Sequence, residues 1–395
     1  MKRLFGYLMI GGFLFAACRQ EEPISKVIER GLAVSTQQAT LLARELENQE
    51  DRLPRTYEKD ELKTADFKSW ISGFFPGVLW YLYENEPTGE LKKYAELYTE
   101  RVESAKNVTT HHDLGFILNC SFGNGYRLTG NPHYLDVMQT GAESLATRYN
   151  DTVKSIKSWN KRGVWEFPVI IDNMMNLELF TLMTKETGDR KYEYMANAHA
   201  TTTLKNHFRP DFSSYHVVSY DPETGLVDVK QTHQGYAHES AWARGQAWAL
   251  YGFSMMYRET NKREYLELAR RVAKYIIDHP HMPTDKVPYW DFDAPDIPNA
   301  PRDASAAAVM ASALIELSRL DKSEDSLDWL KFAEEQIRSL SSPEYLAKPG
   351  TNGYFILKHS VGNFNKKSEV DVPLTYADYY YVEALLRLKK IQDEK

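Results

Sequence analysis

Thr129-Gly130-Asn131-Pro132-His133-Tyr134, Thr187-Gly188-Asp189-Arg190-Lys191-Tyr192 and Thr260-Asn261-Lys262-Arg263-Glu264-Tyr265 are one junction written three times. Each carries a threonine, a turn-forming Gly or Asn, and a tyrosine five positions after the threonine. Thr88-Gly89-Glu90 with Tyr94 is the same unit with one residue inserted. Gly and Asn tolerate the left-handed conformation that closes a helix, so each junction ends one helix and opens another. Recurrence at about 60 residues means stacked helical hairpins.

The segments between the junctions alternate in character. Residues 90–106, 132–150, 189–207, 261–279 and 326–340 are charged on one face and apolar on the other. Residues 73–83, 114–128, 174–187, 243–258, 304–320 and 376–388 are apolar or small on most sides. A helix that is hydrophobic nearly all round belongs inside, and an amphipathic one outside. Six inner runs fit a closed all-α ring of six hairpins, an (α/α)6 toroid, with residues 30–48 as the first outer helix; an open superhelix is the alternative. Two inserts, 208–241 and 282–303, are too long for hairpin turns, and long loops on a rigid scaffold usually build the site. In the first, His216, Tyr220, the turn Asp221 to Gly225 and residues 231–239 suggest a short β hairpin over the ring mouth.

The chain has 395 residues, 43% of them hydrophobic, enough for a single large core. A net charge of −7 without a basic stripe excludes nucleic acid as the expected partner. Eight Trp and 25 Tyr suit a cleft for sugars, whose C–H faces pack on aromatic rings. Lys2 and Arg3 precede an apolar run from Leu4 to Ala17, too short to span a bilayer. It ends Phe15-Ala16-Ala17-Cys18, which resembles the lipobox of bacterial lipoproteins. Residues 1–18 therefore read as a lipoprotein signal peptide ending at the lipidated Cys18, residues 19–30 as a tether, and 31–395 as one catalytic domain. The expected address is the bacterial cell envelope, lipid-anchored and facing the periplasm, as a monomer or homodimer. Cys120 is then left without an intramolecular disulfide partner.

Chemistry concentrates where inner runs begin. Phe167-Pro168-Val169-Ile170-Ile171 leads to Asp172-Asn173-Met174-Met175-Asn176, placing a carboxylate at a helix start on a buried approach. Read as structure alone, Asp172 is a helix N-cap. His111-His112-Asp113-Leu114-Gly115-Phe116 repeats the build upstream, and two such carboxylates are the minimal kit of a glycosidase. In a ring whose inner helices all start at one end, Asp113 and Asp172 converge. Helix N-termini lower an Asp pKa there, while burial and a like-charged neighbour raise it. Arg244 opens another inner run against the helix dipole, so an anionic ligand or a carboxylate such as Glu239 should hold it. His111-His112 and His279-Pro280-His281 lack metal-ligand spacing, and no phosphate loop or dinucleotide fingerprint occurs. Neither a metal nor a cofactor is expected.

The set Trp70…Gly73-Phe74-Phe75-Pro76-Gly77-Val78-Leu79-Trp80, His112-Asp113-Leu114-Gly115-Phe116, Ile171-Asp172-Asn173-Met174-Met175-Asn176, Trp242-Ala243-Arg244-Gly245-Gln246-Ala247-Trp248 and Tyr376-Ala377-Asp378-Tyr379-Tyr380 resembles glycoside hydrolase family 88, the unsaturated glucuronyl hydrolases. The resemblance covers essentially the whole chain after the signal. It implies an (α/α)6 barrel and a substrate ending in a 4,5-unsaturated uronic acid, the product of a polysaccharide lyase. It makes Asp172 the general acid/base of a vinyl-ether hydration and Asp113 the second essential carboxylate. It also places Trp70, His112, Trp159, His216, Gln234, Arg244 and Trp248 around the unsaturated sugar.

On the leaving-sugar side, Lys366, Lys367 and Ser368 stand just before the last inner helix and are expected to hold a sulfate. Two other readings stay open at this level. One is an unsaturated rhamnogalacturonyl hydrolase of the same fold and chemistry. The other is a non-catalytic surface glycan-binding lipoprotein.

Overall fold

The computed structural model describes residues 21–394. The signal segment and Cys18 lie outside the described residues. The outer helices are α1 (Ile24–Leu46), α3 (Gly89–Glu100), α5 (Pro132–Ala146), α7 (Arg190–Asn206), α9 (Arg263–Asp278) and α11 (Ser326–Leu340). The inner ones are α2 (Phe74–Asn85), α4, α6 (Asn173–Thr187), α8 (Ala243–Thr260), α10 (Ala304–Leu320) and α12 (Thr375–Asp393). Here α4 is the π-helical Gly115–Gly123 continued by the α-helical Asn124–Thr129. Each inner helix packs on the next, and α12 packs back on α2, so the ring closes. α1 begins at Ile24, so the stretch expected as a tether to residue 30 is already helical from there.

The junctions explain why the sequence folds this way. Gly130, Gly188 and Asn261 are left-handed at φ 66°, 73° and 56°. Next to them, Asn131 and Asp189 cap α5 and α7 by accepting the N–H groups of His133 and Lys191. Each junction threonine works both ways. Thr187 Oγ1 donates to the Met183 carbonyl four residues back and accepts the N–H of Asp189, and Thr129 and Thr260 do the same. The junction tyrosines Tyr134, Tyr192 and Tyr265 pack on Phe122, Phe180 and Phe253 at 5.2, 5.5 and 5.8 Å. Each of those phenylalanines stands seven residues before its threonine, so the repeat extends into the inner helix. Gly115 lets α4 approach α6, because a Cβ there would sit 2.4 Å from the Asn176 Cα.

The loops at the mouth carry short antiparallel sheets. β1 (Leu53–Glu58) pairs with β2 (Glu61–Ala65), and β3 (Tyr149–Asn150) with β4 (Ser155–Ile156). The hairpin expected over the mouth is β6 (Val217–Tyr220) with β7 (Val227–Gln231), and β5 (Phe167–Ile170) adds a third strand along β6. β8 (Ser360–Asn363) and β9 (Ser368–Val372) form a further hairpin before α12.

Candidate active site

Strand register assembles the centre. Ile170 pairs with Val217, and the N–H of Ile171 donates to the His216 carbonyl, so Asp172 emerges beside His216. Asp172 stands at the N-cap position of α6 in helical conformation, yet its side chain caps nothing. Its carboxylate is buried, and Oδ2 has no hydrogen-bond partner in the protein. Oδ2 lies 3.6 Å from His216 Nε2. Its pKa is raised to about 7: burial pushes it up, the Arg244 charge pulls it part of the way back, and the Asp113 charge adds to the rise.

Asp113 goes the other way. Burial raises its pKa, but His112 (Nε2 to Oδ1, 3.3 Å) and His111 (Nδ1 to Oδ2, 3.1 Å) outweigh it and bring the carboxyl below its usual range. The contest between helix field, burial and neighbours is thus decided differently at the two sites. One carboxyl holds its proton near neutrality while the other is an anion, which is how an acid and its partner are set apart.

His216 is fixed in one tautomer. Its Nδ1 accepts the backbone N–H groups of His233 (3.0 Å) and Gln234 (3.1 Å). An acceptor nitrogen carries no proton, so the hydrogen is on Nε2, facing Asp172. Burial holds the imidazole pKa well below its usual value, keeping the ring neutral. Gln234 supports this centre through its backbone and donates its side-chain amide to the Gly362 carbonyl of β8.

Arg244 is fully buried between the rings of Trp242 and Tyr376 (4.6 and 5.2 Å). Its carboxylate partner is Asp303 at 3.0 Å, not Glu239, which is exposed and pairs with Arg209. The guanidinium also donates to the carbonyls of Val361 and Gly362, tying β8 to the ring, and its Nε stays unpartnered. Trp248 is buried beside Asp172 with a free indole N–H. His112 is buried, and burial lowers its pKa. Trp70 leans on Tyr376 at 4.8 Å, and the Trp159 backbone is bridged to His111. The structure thus brings Asp172, Asp113, Trp70, His112, Trp159, His216, Gln234, Arg244 and Trp248 to one end of the ring. Lys366, Lys367 and Ser368 sit at the β8–β9 turn, docked by the Asn365 amide on the Gly235 carbonyl next to Gln234.

Sequence reasoning missed Asp303, which caps α10 while pairing with Arg244, and the buried, unpartnered hydroxyl of Tyr376. Both open inner helices, and that position was the available signal. Among the described residues, no three His, Cys, Asp or Glu side chains gather as metal ligands would.

Comparison with known proteins agrees with this geometry. The model of Glycosyl Hydrolase Family 88 matches residues 44–363. The unsaturated glucuronyl hydrolase of Formosa agariphila is 49% identical over 326 residues, covering 82% of this chain and 81% of that protein. A crystal structure of an unsaturated glucuronyl hydrolase specific for heparin superposes with TM-score 0.90 at 47% identity, covering 93% of this chain and 98% of that one. A mutant of the Streptococcus agalactiae unsaturated glucuronyl hydrolase, complexed with dGlcA-GalNAc6S, superposes with TM-score 0.76 at 30% identity over 92% and 91%. With its ring, its paired carboxylates and its matched residues in agreement, the chain belongs to glycoside hydrolase family 88, the family of the unsaturated glucuronyl hydrolases.

Proposed function

We propose that the protein removes the 4,5-unsaturated uronic acid from the non-reducing end of lyase-generated glycosaminoglycan oligosaccharides by hydrating the double bond. The observation that carries this is Asp172, a buried carboxyl with its pKa raised to about 7 and one oxygen free of any partner. Such a group can give a proton to C4 of the enol ether and then, as carboxylate, take one from the water that adds at C5. The hemiketal so formed opens and releases the neighbouring sugar. His216 presents its Nε2 proton to the same oxygen, and ionised Asp113 accepts sugar hydroxyls. Positioned proton transfer of this kind contributes on the order of 10² to 10⁴ in rate.

The leaving sugar in this reading is sulfated, with Lys366, Lys367 and Ser368 as its sulfate contacts. In support, the Streptococcus agalactiae relative is described with a 6-sulfated disaccharide, and the other superposed relative as specific for heparin. The lipobox-like Cys18 supports a lipid anchor in the bacterial envelope with the enzyme facing the periplasm. The test is loss of the near-ultraviolet absorbance of the conjugated double bond, read on lyase-made disaccharides from hyaluronan, chondroitin sulfates and heparan sulfate. Decay on a sulfated member establishes the reading. No decay on any of them would overturn it and return attention to unsaturated rhamnogalacturonan fragments.

A further inference from the structure

Between Trp159 and Glu166 the chain makes a tight tip that the centre described above does not use. Arg162 and Trp165 exchange backbone hydrogen bonds across it, with Gly163 left-handed at φ 58° and Val164 exposed at the apex. The Trp165 ring stands edge-on to Trp159 at 5.6 Å and to His233 at 5.7 Å, and its indole N–H donates to Gln231 Oε1. His233 also lies 5.7 Å from Trp159 and 6.3 Å from His216. An aromatic ladder therefore runs outward from the reacting carboxyl: Asp172, His216, His233, then the two tryptophans.

Cations flank this ladder. Burial first, and then the charges of Lys366, from the β8–β9 turn, and Arg162, from the tip, together lower the His233 pKa to about 4. The backbone places both cations at this imidazole: Arg162 is bonded across the tip to Trp165, whose ring stands on His233, and Lys366 follows Asn365, whose amide docks on the Gly235 carbonyl two residues from His233. Among the described residues neither has a carboxylate partner, whereas neighbouring Lys161 is paired with Glu166. Two cations that converge on one neutral ring without a counter-charge are arranged for an anion.

We propose that Arg162 is a specificity-determining residue, which together with Lys366 receives a sulfate of the leaving sugar while Trp165 and His233 present their rings to that sugar. This rests on the function proposed above and adds the tip as the second wall of the leaving-sugar subsite. Arg is suited to the task because its planar fork can meet two sulfate oxygens at once.

The test uses the full chain and a matched pair of lyase-made unsaturated disaccharides, with and without sulfate on the hexosamine. For Arg162→Ala, the ratio of kcat/KM on the sulfated over the unsulfated member should fall about tenfold or more, mainly through KM, the scale of one lost charge-assisted hydrogen bond. Arg162→Ala with Lys366→Ala should lower the ratio further, and Lys161→Ala should leave it unmoved. An unmoved ratio in Arg162→Ala, or equal losses on both substrates, would overturn the inference while leaving the activity itself standing. A wild type inactive on every member would instead overturn the functional reading, and this inference with it.

Discussion

At the mouth of the ring, Asp172 Oδ2, His216 Nε2, Trp248 Nε1, Trp159 Nε1 and Tyr376 Oη are buried without a partner in the protein. Further along the same inner helices, Glu383 is buried, Glu178, Arg258, Glu316 and Arg387 are half-buried, and each is paired. Arg258 bridges Glu178 and Glu316, and Arg387 reaches Glu316 and Glu383. Glu383 also accepts hydrogen bonds from Tyr81, Tyr251 and Ser312, and Glu178 accepts one from Asn119. That network draws on all six inner helices. An orphaned buried polar group costs about 1–3 kcal/mol, so the mouth spends stability that the deeper network conserves. The contrast separates groups placed for chemistry from groups placed to hold the ring shut.

Asp172→Asn is the sharpest way to break the comparison. The amide keeps the shape but has no proton to give to carbon, so kcat should fall by a factor on the order of 10² to 10⁴. Stability should move the opposite way. The folded pKa of Asp172, about 7, lies above the unfolded value of about 4, so the native chain holds a proton that the unfolded chain gives up. Its favourable contribution is complete below about pH 4 and is lost as pH rises toward and through about 7. Relative to wild type, Asp172→Asn should therefore gain stability across that window, by up to a few kcal/mol. Urea melts at pH 4, 6 and 8 measure it, and a wild type that outlasts the variant at pH 8 would contradict the assignment.

Glu383→Ala probes the other depth. It removes the shared acceptor of Tyr81, Tyr251 and Ser312 and one of the two carboxylates that hold Arg387, and a buried polar group left unsatisfied costs about 1–3 kcal/mol. The free energy of unfolding should drop by that amount, while kcat of the folded fraction stays near wild type. A kcat that collapsed together with stability would mean that the two depths are not separable.

A smaller effect connects the two carboxyls. Rate should fall as pH rises through about 7, where Asp172 loses the proton it must donate. Since the Asp113 charge helps to raise that pKa, Asp113→Asn should move the alkaline limb of kcat to lower pH, besides weakening sugar binding. A limb that stayed in place or moved upward would show that Asp113 does not tune Asp172.

The ring was legible because its signals are local. Left-handed Gly130, Gly188 and Asn261, the caps that follow them and the all-round apolar inner runs each lie within a few neighbouring residues. The β6–β7 hairpin was legible too, through its Asp221 to Gly225 turn, but β1–β2 and β8–β9 were not, because their turns use unmarked residues: Lys59 and Asp60 at φ 55° and 59°, and Lys367 at φ 50°, stand where Gly or Asn would have announced a hairpin. β5 was hidden differently, since an apolar run through Pro168 reads as well for an approach as for a strand. At the site, Asp172, Asp113 and Arg244 were visible as polar residues opening apolar helices. The Arg244 partner was not, because Asp303 comes from the next inner helix, whereas Glu239 was only its neighbour in sequence. Placement of His216 opposite Asp172 depends on the β5–β6 register, which no local pattern specifies.

The smallest expected effect tests the local signal itself. Thr187 Oγ1 donates to the Met183 carbonyl at 2.6 Å and accepts the Asp189 N–H at 3.2 Å, so one hydroxyl closes α6 and positions the residue that caps α7. Thr187→Val keeps the volume and the β-branch and removes both bonds. The hydroxyl is near solvent, and water replaces part of what is lost, so the cost should be about 0.5–1 kcal/mol, with kcat unchanged. Gly188→Ala, which forces a Cβ into φ 73°, should cost a comparable amount at the next position. If Thr187→Val were neutral while Gly188→Ala was costly, the turn alone would set the junction and the repeated threonine would need another reason. A loss in both makes the threonine part of the code that builds six hairpins, and the same substitution at Thr129 and Thr260 should then repeat it.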